Sequence, residues 1–113
     1  MACLFCEIIQ KKRPAGIIYE DEMVAAFEDI NPQAPVHVLV VPKKHIPTNL
    51  DIGEVDGPVL SRLFHVANKI AADKGVAKRG FRLVMNCNPE SGQTVFHIHL
   101  HVLGGRFMQW PPG

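Results

Sequence analysis

Long apolar runs are missing from this 113-residue chain. No stretch approaches the ~20 residues that a membrane-spanning helix needs, so no membrane partner is expected. An excess of charge of either sign is missing too. Lys and Arg total 12, Asp and Glu total 11, and the formal net charge is +1. That balance gives no reason to expect a nucleic-acid partner. The one basic run, Lys11-Lys12-Arg13, reads as a solvated helix end. Cysteine is scarce and odd in number, at three, which speaks against a disulfide framework and for a reducing, cytoplasmic setting. Met1–Glu7 has no basic stretch ahead of an apolar core, so a secretory signal is not expected there. Repeats and low-complexity tracts are absent as well.

What is present suits a single globular domain over residues 1–113: 47% of the residues are hydrophobic and 20% charged. Leu4, Phe5, Ile8 and Ile9 recur at helical spacing, which predicts a short helix over 3–12 ending near Pro14. Ile17–Tyr19 and Met23–Phe27 read as a hairpin turning at Asp21-Glu22. Val36–Val41 is a strand stopped by Pro42, with His37, Leu39 and Val41 on one face. A long helix is expected from Pro58. Val59, Leu60, Leu63, Val66, Ala67, Ile70 and Ala71 form its buried stripe, and Gly75 its C-terminal cap. Phe81–Asn86 and Thr94–Leu103 complete the strands, giving an α+β fold with an antiparallel sheet of about five strands and two helices.

The richest stretch is His97-Ile98-His99-Leu100-His101. In a strand, alternate side chains share a face, so three imidazoles would line one side and Ile98, Leu100 and Val102 the other. Imidazole near neutral pH serves as nucleophile, acid, base or metal ligand. If Val36–Val41 pairs with this strand, His37 joins the row. The preceding Ser91-Gly92-Gln93-Thr94 fits an ordinary turn, but beside histidines it also fits an anion seat built from backbone N–H groups and a hydroxyl. Phosphate is the natural guest, since a neutral imidazole can attack phosphorus and later release the group to water.

His97-Ile98-His99-Leu100-His101-Val102-Leu103 matches the alternating signature of the histidine triad superfamily and resembles its Hint branch, the histidine triad nucleotide-binding proteins. The likeness extends to Ala26–His37, Val41–Ile46, Gly92-Gln93, Leu103–Arg106 and Trp110-Pro111-Pro112-Gly113. It implies a dimerising protein of the histidine triad fold, acting as a purine nucleoside phosphoramidase. Such an enzyme cleaves the P–N bond of adenosine 5′-phosphoramidates, and also acyl-adenylates, to release AMP. By resemblance His99 is the nucleophile and His101 contacts the phosphate and helps protonate the leaving group. His97 positions His99, and His37 supports the set. Asp29 matches the ribose anchor. Phe5, Ile8, Phe27 and Ile30 match the purine surround, and Asn86, Gly92, Gln93 and Thr94 the phosphate side. Trp110 would reach the partner subunit's site in a homodimer. Arg13 departs from the family pattern, which often has an apolar residue beside the base.

The resemblance implies no cofactor for catalysis. Cys3-Leu4-Phe5-Cys6 is nevertheless a CxxC, and His45 and His97 are candidates to complete a Cys2His2 structural zinc site. Some bacterial histidine triad proteins have such a site, and many Hint proteins lack the cysteines. Cys3 and Cys6 fit equally as reduced, partly buried residues. Two other functions are compatible with the sequence: a nucleotide-binding regulatory or interaction protein whose catalysis is incidental, and a zinc hydrolase with His97, His99 and His101 as ligands.

Overall fold

The computed structural model describes residues 3–113. Its centre is one five-stranded antiparallel sheet. The strands are β1 (Ile17–Glu20), β2 (Val24–Glu28), β3 (Val36–Pro42), β4 (Phe81–Val84) and β5 (Leu100–Gly104), in the spatial order β1-β2-β3-β5-β4. Asp21 makes the β1–β2 turn. Its carboxylate accepts from the backbone N–H groups of Met23 and Val24 and from Arg62, which holds it well below the usual carboxylate range despite burial.

The helices are α1 (Leu4–Ile9) and α2 (Gly57–Asp73). The stripe expected of α2 is the one it buries, apart from Leu60, which is only partly covered. With Val24, Val38, Val40, Ile98, Leu100 and Val102 it forms the larger core on one face of the sheet. Gly75, at φ +79°, ends this helix in the left-handed region. On the other face Phe5 and Ile8 of α1 pack with Ala25, Phe27, Leu39 and Val41. Strand alternation thus puts Val36, Val38 and Val40 under α2 and His37, Leu39 and Val41 on the α1 face.

Three boundaries differ from the sequence-based reading by more than one residue. The first helix stops at Ile9, short of 12. Lys11 adopts φ 63°, and the N–H groups of Lys11 and Lys12 bond back to the Ile8 and Glu7 carbonyls, closing the end without a glycine. The strand expected over Thr94–Leu103 begins only at Leu100. In the β3–β5 register Val40 faces Leu100, which would set Ile98 against Pro42. Proline has no N–H to give a ladder, and Ile98 donates instead to the Ile46 carbonyl. Phe81–Asn86 likewise shortens to Phe81–Val84, since its partner β5 has only Leu100 left to oppose Met85.

Candidate active site

A cavity of about 660 Å³ opens on the α1 face of the sheet. Phe5, Ile8, Phe27, Leu39 and Val95 supply apolar wall, and Asp29, Ile30, Asn86, Gly92, Thr94, His99 and His101 also line it. Every residue that resemblance assigned to the nucleotide lines this cavity except Gln93. That side chain is 4% exposed and is spent on the loop itself. Its carbonyl oxygen accepts from Asn88 N–H at 2.7 Å, and its amide donates to the Pro47 and Val95 carbonyls at 2.9 and 3.2 Å. Gln93 therefore shapes the loop in which Gly92, at φ +98°, faces the cavity. Leu4, Ala15, Glu28, Leu39 and Val95 also line the site. The sequence reading did not assign them to it, although Leu39 shares the strand face of His37 by simple alternation.

Backbone groups fix the hydrogen on His97, His99 and His37, and His37 fixes it on His101. His97 is fully buried, and its Nε2 sits 2.7 Å from the Pro42 carbonyl oxygen. A carbonyl only accepts, so the hydrogen is on Nε2 and Nδ1 is bare. His99 Nδ1 lies 2.9 Å from the His97 carbonyl oxygen, which places its hydrogen on Nδ1 and leaves Nε2 as a lone pair. The Gln33 backbone N–H donates to His37 Nδ1 at 3.0 Å, so His37 carries its hydrogen on Nε2. That Nε2 is 2.8 Å from His101 Nδ1 and 3.3 Å from Asp29 Oδ2. His101 accepts at Nδ1 and so carries its hydrogen on Nε2, which is buried without a protein partner.

Electrostatics keep these rings neutral. Burial lowers His99 below the ordinary imidazole value, against the opposing pull of its bond to the His97 carbonyl and of the Asp29 charge. Burial, then repulsion from His99 and His37, lowers His101 to about 4. His37 is lowered by burial, with Asp29 opposing. Phe5 packs edge-on to His99, with ring centres 5.0 Å apart at 90°. The cavity is therefore lined by His99, whose Nε2 is a lone pair with an aromatic edge beside it, and by His101, whose Nε2–H is buried without a partner.

The three histidines of the row do not converge on one point. His97 Nδ1 belongs to a different cluster: it is 3.4 Å from Cys3 Sγ, 3.6 Å from Cys6 Sγ and 3.2 Å from His45 Nδ1, and Cys6 Sγ is 3.3 Å from His45 Nδ1. Zn–S bonds of about 2.3 Å and Zn–N bonds of about 2.0–2.1 Å around a tetrahedral ion put donor atoms about 3.3 Å (N to N) to about 3.6 Å (S to N) apart. The four side chains fit that figure. The His97 Nε2–H bond to a carbonyl is also the outer bond that orients a zinc-ligating imidazole. Burial and the Cys3 thiol push the Cys6 thiol up to about 11, a shift that a bound cation reverses. Trp110 is 81% exposed, with the Arg82 guanidinium 6.0 Å from its ring centre.

The family model for the HIT domain matches residues 10–108. The chain belongs to the HIT family. Purine nucleoside phosphoramidase of Escherichia coli is 48% identical to this HIT chain over 103 residues, spanning 91% of this chain and 87% of that one. The crystal structure of a HIT family hydrolase from Legionella pneumophila superimposes with a TM-score of 0.98 at 50% identity, covering 99% of this chain and 100% of the other. A zinc-bound histidine triad family protein from Mycobacterium smegmatis gives a TM-score of 0.80 at 33% identity, over 94% and 76% of the two chains. Among the described residues no helix of this HIT protein is long and apolar enough to cross a membrane.

Proposed function

We propose that this HIT protein is a hydrolase that cleaves the P–N bond of purine nucleoside 5′-phosphoramidates, with acyl-adenylates as further substrates, and releases AMP. The observation that carries this reading is the hydrogen bond from His99 Nδ1 to the His97 carbonyl. It leaves the Nε2 lone pair of a buried, neutral imidazole at the cavity, beside a ring whose own free nitrogen bears a hydrogen. A nucleophile next to a proton donor is what double displacement at phosphorus needs.

In the first step His99 Nε2 forms a bond to phosphorus as the P–N bond breaks. The His37–His101 pair takes up one proton from solvent as the anionic substrate binds, and the departing amine takes the hydrogen from His101 Nε2, which leaves the pair neutral. In the second step water attacks phosphorus and gives a proton back to His101, the bond to His99 breaks, and AMP leaves. Asp29 stabilises positive charge on the His37–His101 pair from 3.3 Å, and its carboxylate can accept both ribose hydroxyls. The Gly92–Thr94 loop and Asn86 offer donors to the phosphoryl oxygens. Incubation with adenosine 5′-phosphoramidate tests the reading. It expects AMP and ammonia in equal amounts from the wild type; no release by the wild type sinks it.

We also propose that Cys3, Cys6, His45 and His97 hold a structural zinc ion, on the strength of their donor spacing. Zinc there supplies a cross-link between α1 and the loops on either side of it, and no chemistry on the substrate. The protein is proposed to work as a homodimer that covers the exposed Phe107 and Trp110 of the tail and brings the tryptophan to the second site. Light scattering of the purified protein at twice the monomer mass is expected; a monomer under assay conditions contradicts it.

A further inference from the structure

Helix α1 has six residues, far below the ~12–15 at which an isolated helix becomes even marginal in water. Yet it supplies Leu4, Phe5 and Ile8 to the cavity wall. Something outside the helix must fix it. Phe5 and Ile8 bury against the sheet, and the C-terminal end adds only the exposed Arg13–Glu7 and Lys11–Glu20 ion pairs, contacts of small worth. Its N-terminal end carries Cys3 and Cys6, and both sulfurs face His45 and His97.

His97 is equally dependent on its side-chain ties. It lies before β5 begins, outside the ladder. The ring is held at one nitrogen by Pro42 and at the other by the four-atom cluster. Its carbonyl then holds the His99 ring, and Phe5 bridges the two imidazoles, with ring centres 5.9 Å from His97 and 5.0 Å from His99. From Cys3 and Cys6 to His97 to His99 the connection is continuous, and a second branch runs along α1 to the cavity wall.

We infer that Cys3, Cys6 and His45 are positioning residues for nucleotide binding and for the His99 nucleophile, acting through α1 and His97 once zinc joins the four side chains. This use of the cluster rests on the nucleotide reading above. With the ion in place α1 is stapled over the cavity and the His97 carbonyl is fixed in front of His99 Nδ1. Without it, the bare His97 Nδ1 can accept only one hydrogen, from His45 Nδ1 at 3.2 Å or from a thiol, in place of a four-way tie, and both the apolar wall and the nucleophile loosen. A small displacement of a reacting group can cost about 100-fold in rate.

The test compares the zinc-loaded wild type, the wild type stripped by chelator and reloaded, the double variant Cys3→Ser/Cys6→Ser, and Leu63→Ala as a control. Leu63 belongs to α2 and is fully buried against the opposite face of the sheet, so its loss lowers stability without touching the clasp. Four quantities are read: zinc content, AMP affinity by calorimetry, amide exchange of residues 4–9, and kcat and KM separately. The double variant and the stripped protein are expected to lack zinc, to exchange faster at 4–9, to bind AMP about 10-fold more weakly or worse, and to lose kcat as well. Reloading the stripped wild type is expected to restore all of these, and Leu63→Ala to melt earlier with wild-type exchange at 4–9 and wild-type AMP affinity. Should the double variant fail to fold, stripping and reloading decide alone. Equal AMP affinity and exchange with and without zinc, or no zinc uptake by the wild type, overturns the inference. A zinc-loaded wild type that binds no AMP overturns the nucleotide reading instead, and the exchange data then still report whether the metal holds α1.

Discussion

His99 donates its Nδ1 hydrogen to the backbone carbonyl of His97, two residues earlier, over 2.9 Å. The bond chooses which nitrogen is the lone pair and aims it. Replacing His99 by Ala is expected to reduce turnover of adenosine phosphoramidate by roughly 1,000-fold or more, the scale of removing a nucleophile elsewhere, while AMP still binds. Steady-state assay and calorimetry on the same preparation check both halves.

Acid should destabilise the fold through the buried rings. His101 titrates near 4 and His37 below its ordinary value in the folded protein, against 6.5 for a free imidazole. Between those values the unfolded chain binds more protons than the folded one, so stability rises with pH and falls as the solution is acidified from 6.5 towards 4. Melting temperature measured across that window is expected to drop in the wild type and to drop less in His101→Asn. An identical pH profile for the two proteins would contradict the assignment.

Asp29 should act on the ribose. Asp29→Asn is expected to raise KM for the ribonucleotide by about 10-fold, on the order of the 1.5–3 kcal/mol of hydrogen bonds to a charged group. A 2′-deoxy substrate should lose a similar amount with the wild type and little more with the variant. Additive losses in that cycle would place Asp29 elsewhere.

Gln93 should matter to the loop. Gln93→Leu leaves the Asn88 N–H and the Pro47 carbonyl without their partner and is expected to cost about 1–3 kcal/mol of stability, with a rise in KM from the displaced Gly92 and Thr94. Denaturant unfolding and KM for the phosphoramidate report the two effects. Unchanged stability with a raised KM would instead argue for direct contact with phosphate.

Much of this was legible in the chain. The stripe of α2, the β1–β2 hairpin and the strand face carrying His37 follow from periodicity, because burial on one side forces the pattern. The pairing of β3 with the histidine segment was open to reading, and the register sets Leu39 opposite His101, which brings His37 to His101. What periodicity misjudged was His97 to His99. Alternation made them look like strand, but Pro42 ends the ladder beside them, and that depends on a register no local pattern reveals. The consequence is functional: freed from the ladder, the His97 carbonyl can serve His99. The four-donor cluster is legible, since the CxxC offers Cys3 and Cys6 with His45 and His97 as one set, and the structure brings those four donor atoms within 4.8 Å of one another. Resemblance puts Gln93 on the phosphate side, and only the packing shows its amide turned inward.

The central claim is a covalent passage of the nucleotide through His99, and the stereochemistry at phosphorus tests it most directly. A substrate made chiral at phosphorus by sulfur substitution, hydrolysed in heavy-oxygen water, is expected to give product with retained configuration, the sum of two in-line displacements. Inverted configuration would mean that water attacks phosphorus directly and that His99 never carries the nucleotide.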